Sequence, residues 1–314
     1  MKYIQDLKEG MAVRDIYLIK QKNPATTKAG KEYWNVTIQD KTGVLEGKIW
    51  DTKSPSIIDF DVNDYVYIYG DMTTFQGNLQ LNIRQTRPAE KGEYNPADYF
   101  PVSTKDPDRM WQDIKNYIES VKNSYLHTLL VKMFIEDEAL SERFRKNSAA
   151  RSIHHAFIGG LMEHTLSVAS ICDFYAKQYP LLNRDLLITA ALLHDIGKTR
   201  EISLFPENDY TDEGNLLGHI VIGTEMVGDY IRDIPDFPPT LAAELKHCIV
   251  AHHGELEFGS PKVPELAEAI ALNYADDADA KLEAFTELVH KAGHKNWQGF
   301  NRIFDTNIRA TRGE

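Results

Sequence analysis

From Met11 to about Arg87, apolar and polar positions alternate one by one, the period of half-buried strands. The runs predict strands over Ala12–Lys22, Glu32–Gln39, Val44–Trp50, Tyr65–Thr73 and Asn78–Gln85. Asp40-Lys41-Thr42-Gly43 and Gln76-Gly77-Asn78 supply turn chemistry between them. Short antiparallel strands in so compact a stretch suit a small closed barrel, with an OB-like barrel as first expectation and an SH3-like barrel as the alternative. Between Pro88 and Asp108 no period survives, and Pro88, Gly92, Pro96, Pro101 and Pro107 punctuate the chain. Beyond it the spacing is helical to the end. The expected organisation is multidomain α+β: a five-stranded OB-like barrel over 1–88, a linker over 89–108 and an all-α helical bundle over 109–314.

Strand parity assigns the barrel's faces. Trp34, Val36 and Ile38 share one side of the second strand, and Tyr33, Asn35 and Thr37 the other. Leu45 and Ile49 oppose Glu46, Lys48 and Trp50; Val66 and Ile68 oppose Tyr65, Tyr67 and Tyr69; Leu79, Leu81 and Ile83 oppose Gln80, Asn82 and Arg84. The outward set therefore combines Tyr33, Trp50 and Tyr67 with Lys48 and Arg84, and Phe75 lies near a turn tip. Aromatic platforms interleaved with cations hold single-stranded nucleic acid without reading its sequence. The competing reading is an interface with the second domain or with another subunit.

Composition narrows the class. The 314 residues are 42% hydrophobic and 26% charged, as in an ordinary soluble globular protein. No apolar run approaches the ~20 residues of a membrane span, and the N-terminus has no leader pattern, so a cytoplasmic protein without a membrane partner is expected. Cys172 and Cys248 are isolated in helical patterns and read as buried thiols of a reducing compartment. The net charge of −12 argues against an extended phosphate-binding surface. Residues 1–90 carry 12 Lys/Arg and 12 Asp/Glu, so the remaining 23 and 35 supply the whole imbalance. A polyanion would be repelled least by the barrel.

All 11 histidines lie in the helical region. His164 falls in the helix predicted over Gly160–Lys177, and His194-Asp195 ends the apolar run Leu186–Leu193, with Gly197 as the expected helix stop. His219 begins Gly218–Ile231, His252-His253 close Leu241–Ala251 before Gly254, and Asp276 lies in Pro264–Val289. One histidine ending an apolar helix is ordinarily a capping or core residue. Five of them, in company with carboxylates, point to ligands for divalent Mn, Fe, Zn, Co or Ni, drawn from separate helices around one core.

His164, His194-Asp195 and Asp276 resemble the H…HD…D pattern of the HD-domain phosphohydrolases, and His194-Asp195-Ile196-Gly197-Lys198 matches their HDxGK form. The added His219 and His252-His253 resemble the binuclear branch of that superfamily. A barrel followed by this domain is similar, along nearly the full chain, to the YhaM family of bacterial 3′→5′ exoribonucleases. Gly160-Leu161-Met162-Glu163-His164-Thr165-Leu166 and Tyr274-Ala275-Asp276-Asp277-Ala278-Asp279-Ala280-Lys281 carry that likeness. The resemblance implies a metal-dependent exonuclease, Mn²⁺ preferred, releasing nucleoside 5′-monophosphates from single-stranded RNA, with single-stranded DNA as a further partner. Gly160 stands where some cyclic-dinucleotide phosphodiesterases place a glutamate ligand, and their GYP motif is absent.

On this reading His164, His194 and Asp276 serve one ion, His219, His252 and His253 the other, and Asp195 bridges them, since only a carboxylate has two oxygens for the task. Fe²⁺, Co²⁺ and Zn²⁺ are the alternatives to Mn²⁺. Lys198 is either a phosphate contact or a solvated helix-end lysine. Asp277 and Asp279 compete with Asp276, and Asp279, sharing its helix face, could act from behind the ligand. His154-His155 are phosphate contacts, general acids or capping residues; His127, His247, His290 and His294 are expected to be structural. The rival functions are a nucleotide or cyclic-nucleotide phosphohydrolase with a regulatory barrel, and a DNA-binding replication-associated protein whose HD site is structural. Assembly of several copies around a channel is compatible with an acidic helical domain beside a neutral barrel.

Overall fold

The computed structural model describes residues 1–27, 29–100, 102–150, 157–292 and 297–311. It divides into two compact units, Met1–Val102 with Phe205–Glu207, and Ser103–Leu204 with Asn208–Glu314.

In the first unit β1 (Ala12–Thr26), β2 (Glu32–Asp40), β3 (Gly43–Ile49), β4 (Tyr65–Phe75) and β5 (Asn78–Pro88) close a barrel in the order β1-β2-β3-β5-β4. β1 pairs antiparallel with both β2 and β4, and β3 meets β5 in parallel at Gly47↔Leu81 and Lys48↔Asn82. This is the Greek-key closure of the OB-fold. β1 serves two neighbours because it is long and bulges between Ile19 and Gln21, so Ala12–Leu18 lie on β4 while the stretch to Thr26 lies on β2. The predicted alternation holds where the barrel is closed: Val36, Ile38, Ile49, Val66, Ile68 and Leu81 are buried inside it. Leu79 departs from the pattern and is exposed, because β4 and β5 run on past the barrel as a hairpin.

The segment expected as a linker belongs with the barrel as far as Val102. Tyr94 stacks on Tyr65 at 3.8 Å, and buried Tyr99 donates its hydroxyl to the Ile16 carbonyl at 3.1 Å. The Gln39 amide donates to the Tyr99 carbonyl at 3.0 Å. Irregular backbone with several prolines reads as a linker in sequence; here its aromatic side chains give it a surface to pack on.

The second unit holds α1 (Pro107–Ser120), α2 (Ser124–Val131), α3 (Glu138–Lys146), α4 (Gly160–Gln178), α5 (Arg184–Leu193), α6 (Lys198–Glu201), α7 (Asp212–Arg232), α8 (Pro239–Val250) and α9 (Ala267–Ala292). Leu186–Leu193 of α5 are all buried, which is why that helix is apolar all round. Two short strands, β6 (Trp297–Asn301) and β7 (Thr306–Arg309), pair after α9, an addition to the all-α expectation too brief to impose a period on the sequence.

Two glycines shape the ground under the histidines. Gly197 has φ −61, so it is no left-handed helix stop. A Cβ there would lie 2.0 Å from the His219 carbonyl oxygen and 2.7 Å from the Gly223 nitrogen. The chain needs glycine because α7 crosses it backbone to backbone. Gly218, with φ 73 and ψ 158, breaks α7 just before His219 and turns the following helix inward. Among the described residues no helix is long and apolar enough to cross a membrane.

Candidate metal centre

Five elements of the helical unit deliver the candidate ligands. His164 sits in the second turn of α4, His194-Asp195 follow α5, His219 follows the break in α7, His252-His253 follow α8, and Asp276 lies on α9. Helix ends converge here, and their unsatisfied carbonyls orient the rings. His194 Nδ1 donates to the Ala191 carbonyl at 2.8 Å, and His252 Nδ1 donates to the Ile249 carbonyl at 2.7 Å. Both bonds reach three residues back and engage Nδ1 as the donor, so that Nε2 is the ring atom turned to the centre.

Two further rings are oriented by largely buried carboxylates. His164 Nδ1 donates to Asp279 Oδ2 at 2.7 Å, and the Ser167 hydroxyl donates to the other oxygen of Asp279. His219 Nδ1 donates to Glu201 Oε1 at 3.1 Å, and that same oxygen accepts the His219 backbone N–H at 2.9 Å. Glu201 thus fixes both the ring and the first turn after the Gly218 break.

The ligand atoms of His164, His194 and Asp276 all lie within 4.8 Å of one another, as do those of His219, His252 and His253. Asp195 stands between the two trios. Its Oδ2 is 3.5 Å from His164 Nε2, 3.4 Å from His194 Nε2 and 2.7 Å from Lys198 Nζ. Its Oδ1 is 3.5 Å from His219 Nε2 and 3.8 Å from His252 Nε2.

The electrostatics call for a cation. Burial opposes charge on His164, yet its bonds to Asp276 and Asp279 overcome that penalty and push its pKa up to about 10, so a proton sits where the carboxylates need positive charge. Burial also opposes charge on Asp195 and Asp276, but Lys198 and the histidines hold Asp195, and His164 and His194 hold Asp276, well below the usual carboxylate range. Burial and the neighbouring His194 keep His252 neutral. On the far side Asp195 Oδ1, His219 Nε2 and His252 Nε2 are buried with no hydrogen-bond partner among the described residues. With Nδ1 engaged in both rings, the two Nε2 atoms lie 3.5 and 3.8 Å from Asp195 Oδ1. Such groups are costly to bury empty-handed, and a divalent cation is the partner that satisfies them. The residues fit a metal.

The structure separates the remaining candidates. Asp277, half-exposed, pairs with Lys281 at 2.9 Å, so of the three aspartates only Asp276 joins a trio, with Asp279 behind His164. Lys198 is tied to Asp195 while lining a cavity of about 950 Å³ that also takes in His164, His253, Asn273, Tyr274 and Asp276. His247 accepts the Glu265 backbone N–H at 2.9 Å, His127 lies 3.7 Å from Glu119, and His290 is exposed. His154, His155 and His294 lie outside the described residues. Glu201 had no place among the sequence candidates. It sits in a four-residue helix and meets its histidine only across the α7 break, so no spacing announces it.

On the barrel, Tyr33 and Trp50 stack at 4.8 Å and Lys48 lies 5.3 Å above the Tyr33 ring, bonded to Asn35. Tyr67 does not join them. It is on β4, between β1 and β5, with Arg87 4.9 Å over its ring. Arg84 is paired with Asp71 at 2.6 Å, and Phe75, at the hairpin tip, is exposed. Parity predicts which residues face outward but not which strands are neighbours.

A family model described as the HD domain matches residues 161–281. Among curated proteins the chain is 34% identical over 292 residues to the 3′–5′ exoribonuclease YhaM of Listeria innocua, covering 92% of this chain and 91% of that protein. It is 34% identical over 275 residues to the 3′–5′ exoribonuclease YhaM of Bacillus subtilis, covering 87% and 86%. Among solved structures, the second OB-fold domain of replication protein A from Methanococcus maripaludis aligns with 29% of this chain and 96% of that domain, at 15% identity and a TM-score of 0.22.

Proposed function

The chain belongs to the YhaM family of 3′–5′ exoribonucleases, and on that premise we propose that it hydrolyses single-stranded RNA from the 3′ end, releasing nucleoside 5′-monophosphates with the help of two divalent ions, Mn²⁺ first among them. The observation that carries this reading is the pair of candidate ligand trios on either side of Asp195, with buried polar atoms between them that no described residue satisfies. His164, His194 and Asp276 would hold one ion and His219, His252 and His253 the other, with one Asp195 oxygen for each. Bound there, the ions supply an activated water and relieve the charge that develops on the phosphoryl oxygens.

The chain's own groups do the rest. Lys198 keeps Asp195 ionised and brings a positive charge to the cavity wall where a scissile phosphate would lie. Asp279 and Glu201 hold two rings with Nδ1 protonated, so that Nε2 faces the centre. Tyr33, Trp50 and Lys48 form a compact aromatic-cationic patch suited to the body of a single strand. Water adds to phosphorus, the bond to the 3′ oxygen of the penultimate nucleotide breaks, and that oxygen leaves as a hydroxyl on the shortened strand.

Single-stranded RNA labelled at its 5′ end and incubated with Mn²⁺ tests this. A ladder of shortening products is expected, and the same strand labelled at its 3′ end should release labelled mononucleotide at once. Intact RNA beside hydrolysed free nucleotides would reject the reading in favour of a mononucleotide phosphohydrolase.

A further inference from the structure

The metal cavity has one wall that its chemistry does not use. α9 lines it with a stripe at helical spacing, Ile270, Tyr274, Asp277 and Lys281. Tyr274 is 62% exposed and Ile270 46%, large apolar surfaces beside a strongly polar centre. The same two side chains also border a second cavity of about 390 Å³, lined otherwise by Tyr175, Tyr179, Leu181, Leu182, Ala267 and Ala271. That groove carries no charged residue, whereas the metal cavity carries Lys198, Lys281, Asp276, Asp277 and Glu255. Ile270 and Tyr274 are therefore a ridge between a charged chamber and an uncharged, aromatic one.

We infer that this ridge and groove are the base-binding subsite for the 3′ end of the strand, with the ring of Tyr274 as the platform on which the terminal base stacks. The inference rests on the exoribonuclease reading of the cleft and adds what that reading leaves open, the place of the bases. A polynucleotide needs two different surfaces side by side, one for phosphates and one for flat uncharged rings. The charged chamber suits the first. The groove cannot hold a phosphate, having no cation, but offers tyrosine and aliphatic faces to purines and pyrimidines alike. Beyond tyrosine hydroxyls its side chains carry no hydrogen-bonding group to select one base, as sequence-tolerant trimming requires. Tyr179, 62% exposed at the end of α4, is placed to receive the base before the terminal one.

The test is a double cycle between ring and base. Wild type and Tyr274→Ala are each given an RNA oligonucleotide with an intact or an abasic 3′-terminal nucleotide, and kcat/KM is measured with Mn²⁺. In wild type, loss of the terminal base should lower kcat/KM about 10- to 100-fold, the size of one stacked base. In Tyr274→Ala the two substrates should differ by less than about threefold, and Tyr274→Phe should behave as wild type. Fluorescence anisotropy with the same four pairs in chelator, where nothing is cut, should show the same pattern in Kd. A penalty of equal size in both proteins, or none in wild type, overturns the subsite. So does a change in oligomeric state of Tyr274→Ala with an unchanged base penalty, which would make the groove a contact between copies. Base-dependent binding without cleavage by wild type would sink the exonuclease reading and leave the subsite standing.

Discussion

The two ligand trios are built alike and balanced differently. Each has one ring tied to a carbonyl at the end of its helix, His194 to Ala191 and His252 to Ile249. Each has one ring tied to a buried carboxylate, His164 to Asp279 and His219 to Glu201. The first trio, however, contains a carboxylate of its own, Asp276, 3.1 Å from His164 Nε2. The second is imidazole throughout, and of the shared Asp195 it meets an oxygen that has no hydrogen bond among the described residues. Without a cation, a proton on His164 satisfies the first side; on the second, Asp195 Oδ1, His219 Nε2 and His252 Nε2 have no hydrogen-bond partner among the described residues. Charge count sets affinity for hard divalent ions, so the two sites should differ in how tightly they hold metal, the first more firmly than the second.

The change that erases the comparison has the largest effect. Asp195→Asn removes the charge that both trios share while keeping the side chain's shape. RNA hydrolysis should fall by roughly 1,000-fold or more, since each ion contributes several kcal/mol of charge stabilisation. Metal analysis by mass spectrometry should find both ions weakened, with single-strand binding to the barrel largely kept. Full activity in this variant would break the assignment of Asp195 as the bridge.

Single ligands should split the pair. His252→Ala removes a ring from the imidazole side, and His194→Ala one from the side with Asp276. Each should cost about 100-fold or more in turnover, but the dialysed proteins should differ: one tightly held equivalent in His252→Ala, and in His194→Ala only weakly held metal. Equal metal loss in both would mean that the trios act as one site.

Much of this centre was legible because ligand chemistry uses few residue types and all of them but Asp276 fall near a helix end or break. His164, His194, Asp195, His219, His252, His253 and Asp276 could be read in order along the chain, and the fold gathers them. What spacing could not supply was rotation and crossing. Asp276, Asp277 and Asp279 are equivalent in one dimension; the turn of α9 sends the first to a trio, the second to Lys281 and the third behind His164. Gly197 looks like a helix stop in sequence and is in fact the point where α7 touches the HD turn. The barrel teaches the same lesson: alternation gave the inward and outward residues, but the order β3-β5-β4 separates Tyr67 from Tyr33 and Trp50.

The groups behind the ligands should give intermediate effects that keep the two sides apart. Glu201→Gln and Asp279→Asn each retain size while losing the charge that fixes a ring. Supporting partners of this kind are worth about 10- to 100-fold in metal affinity. Glu201→Gln should weaken only the ion on the imidazole side and Asp279→Asn only the other, as read by stepwise metal titration with calorimetry. A common effect of both on one ion would contradict the division of ligands between the trios.

The smallest effect exposes a last asymmetry. Glu201 is steadied by the His219 backbone N–H at 2.9 Å, a donor that no side-chain change removes, whereas Asp279 receives the hydroxyl of Ser167. Ser167→Ala therefore loosens the first side through a single oxygen, and the second side offers no matching substitution. A hydrogen bond to a charged group contributes about 1.5–3 kcal/mol, but Asp279 keeps its bond to His164, so only part of that should reach the ion, about a three- to tenfold loss of affinity. The Ser167 variant should fold normally, bind the imidazole-side ion as wild type does, and add nothing when combined with Asp279→Asn, because the hydroxyl acts on His164 through Asp279 alone. Additive losses in the double variant would show that Ser167 reaches the centre by another route, and the chain of Ser167, Asp279 and His164 would have to be redrawn.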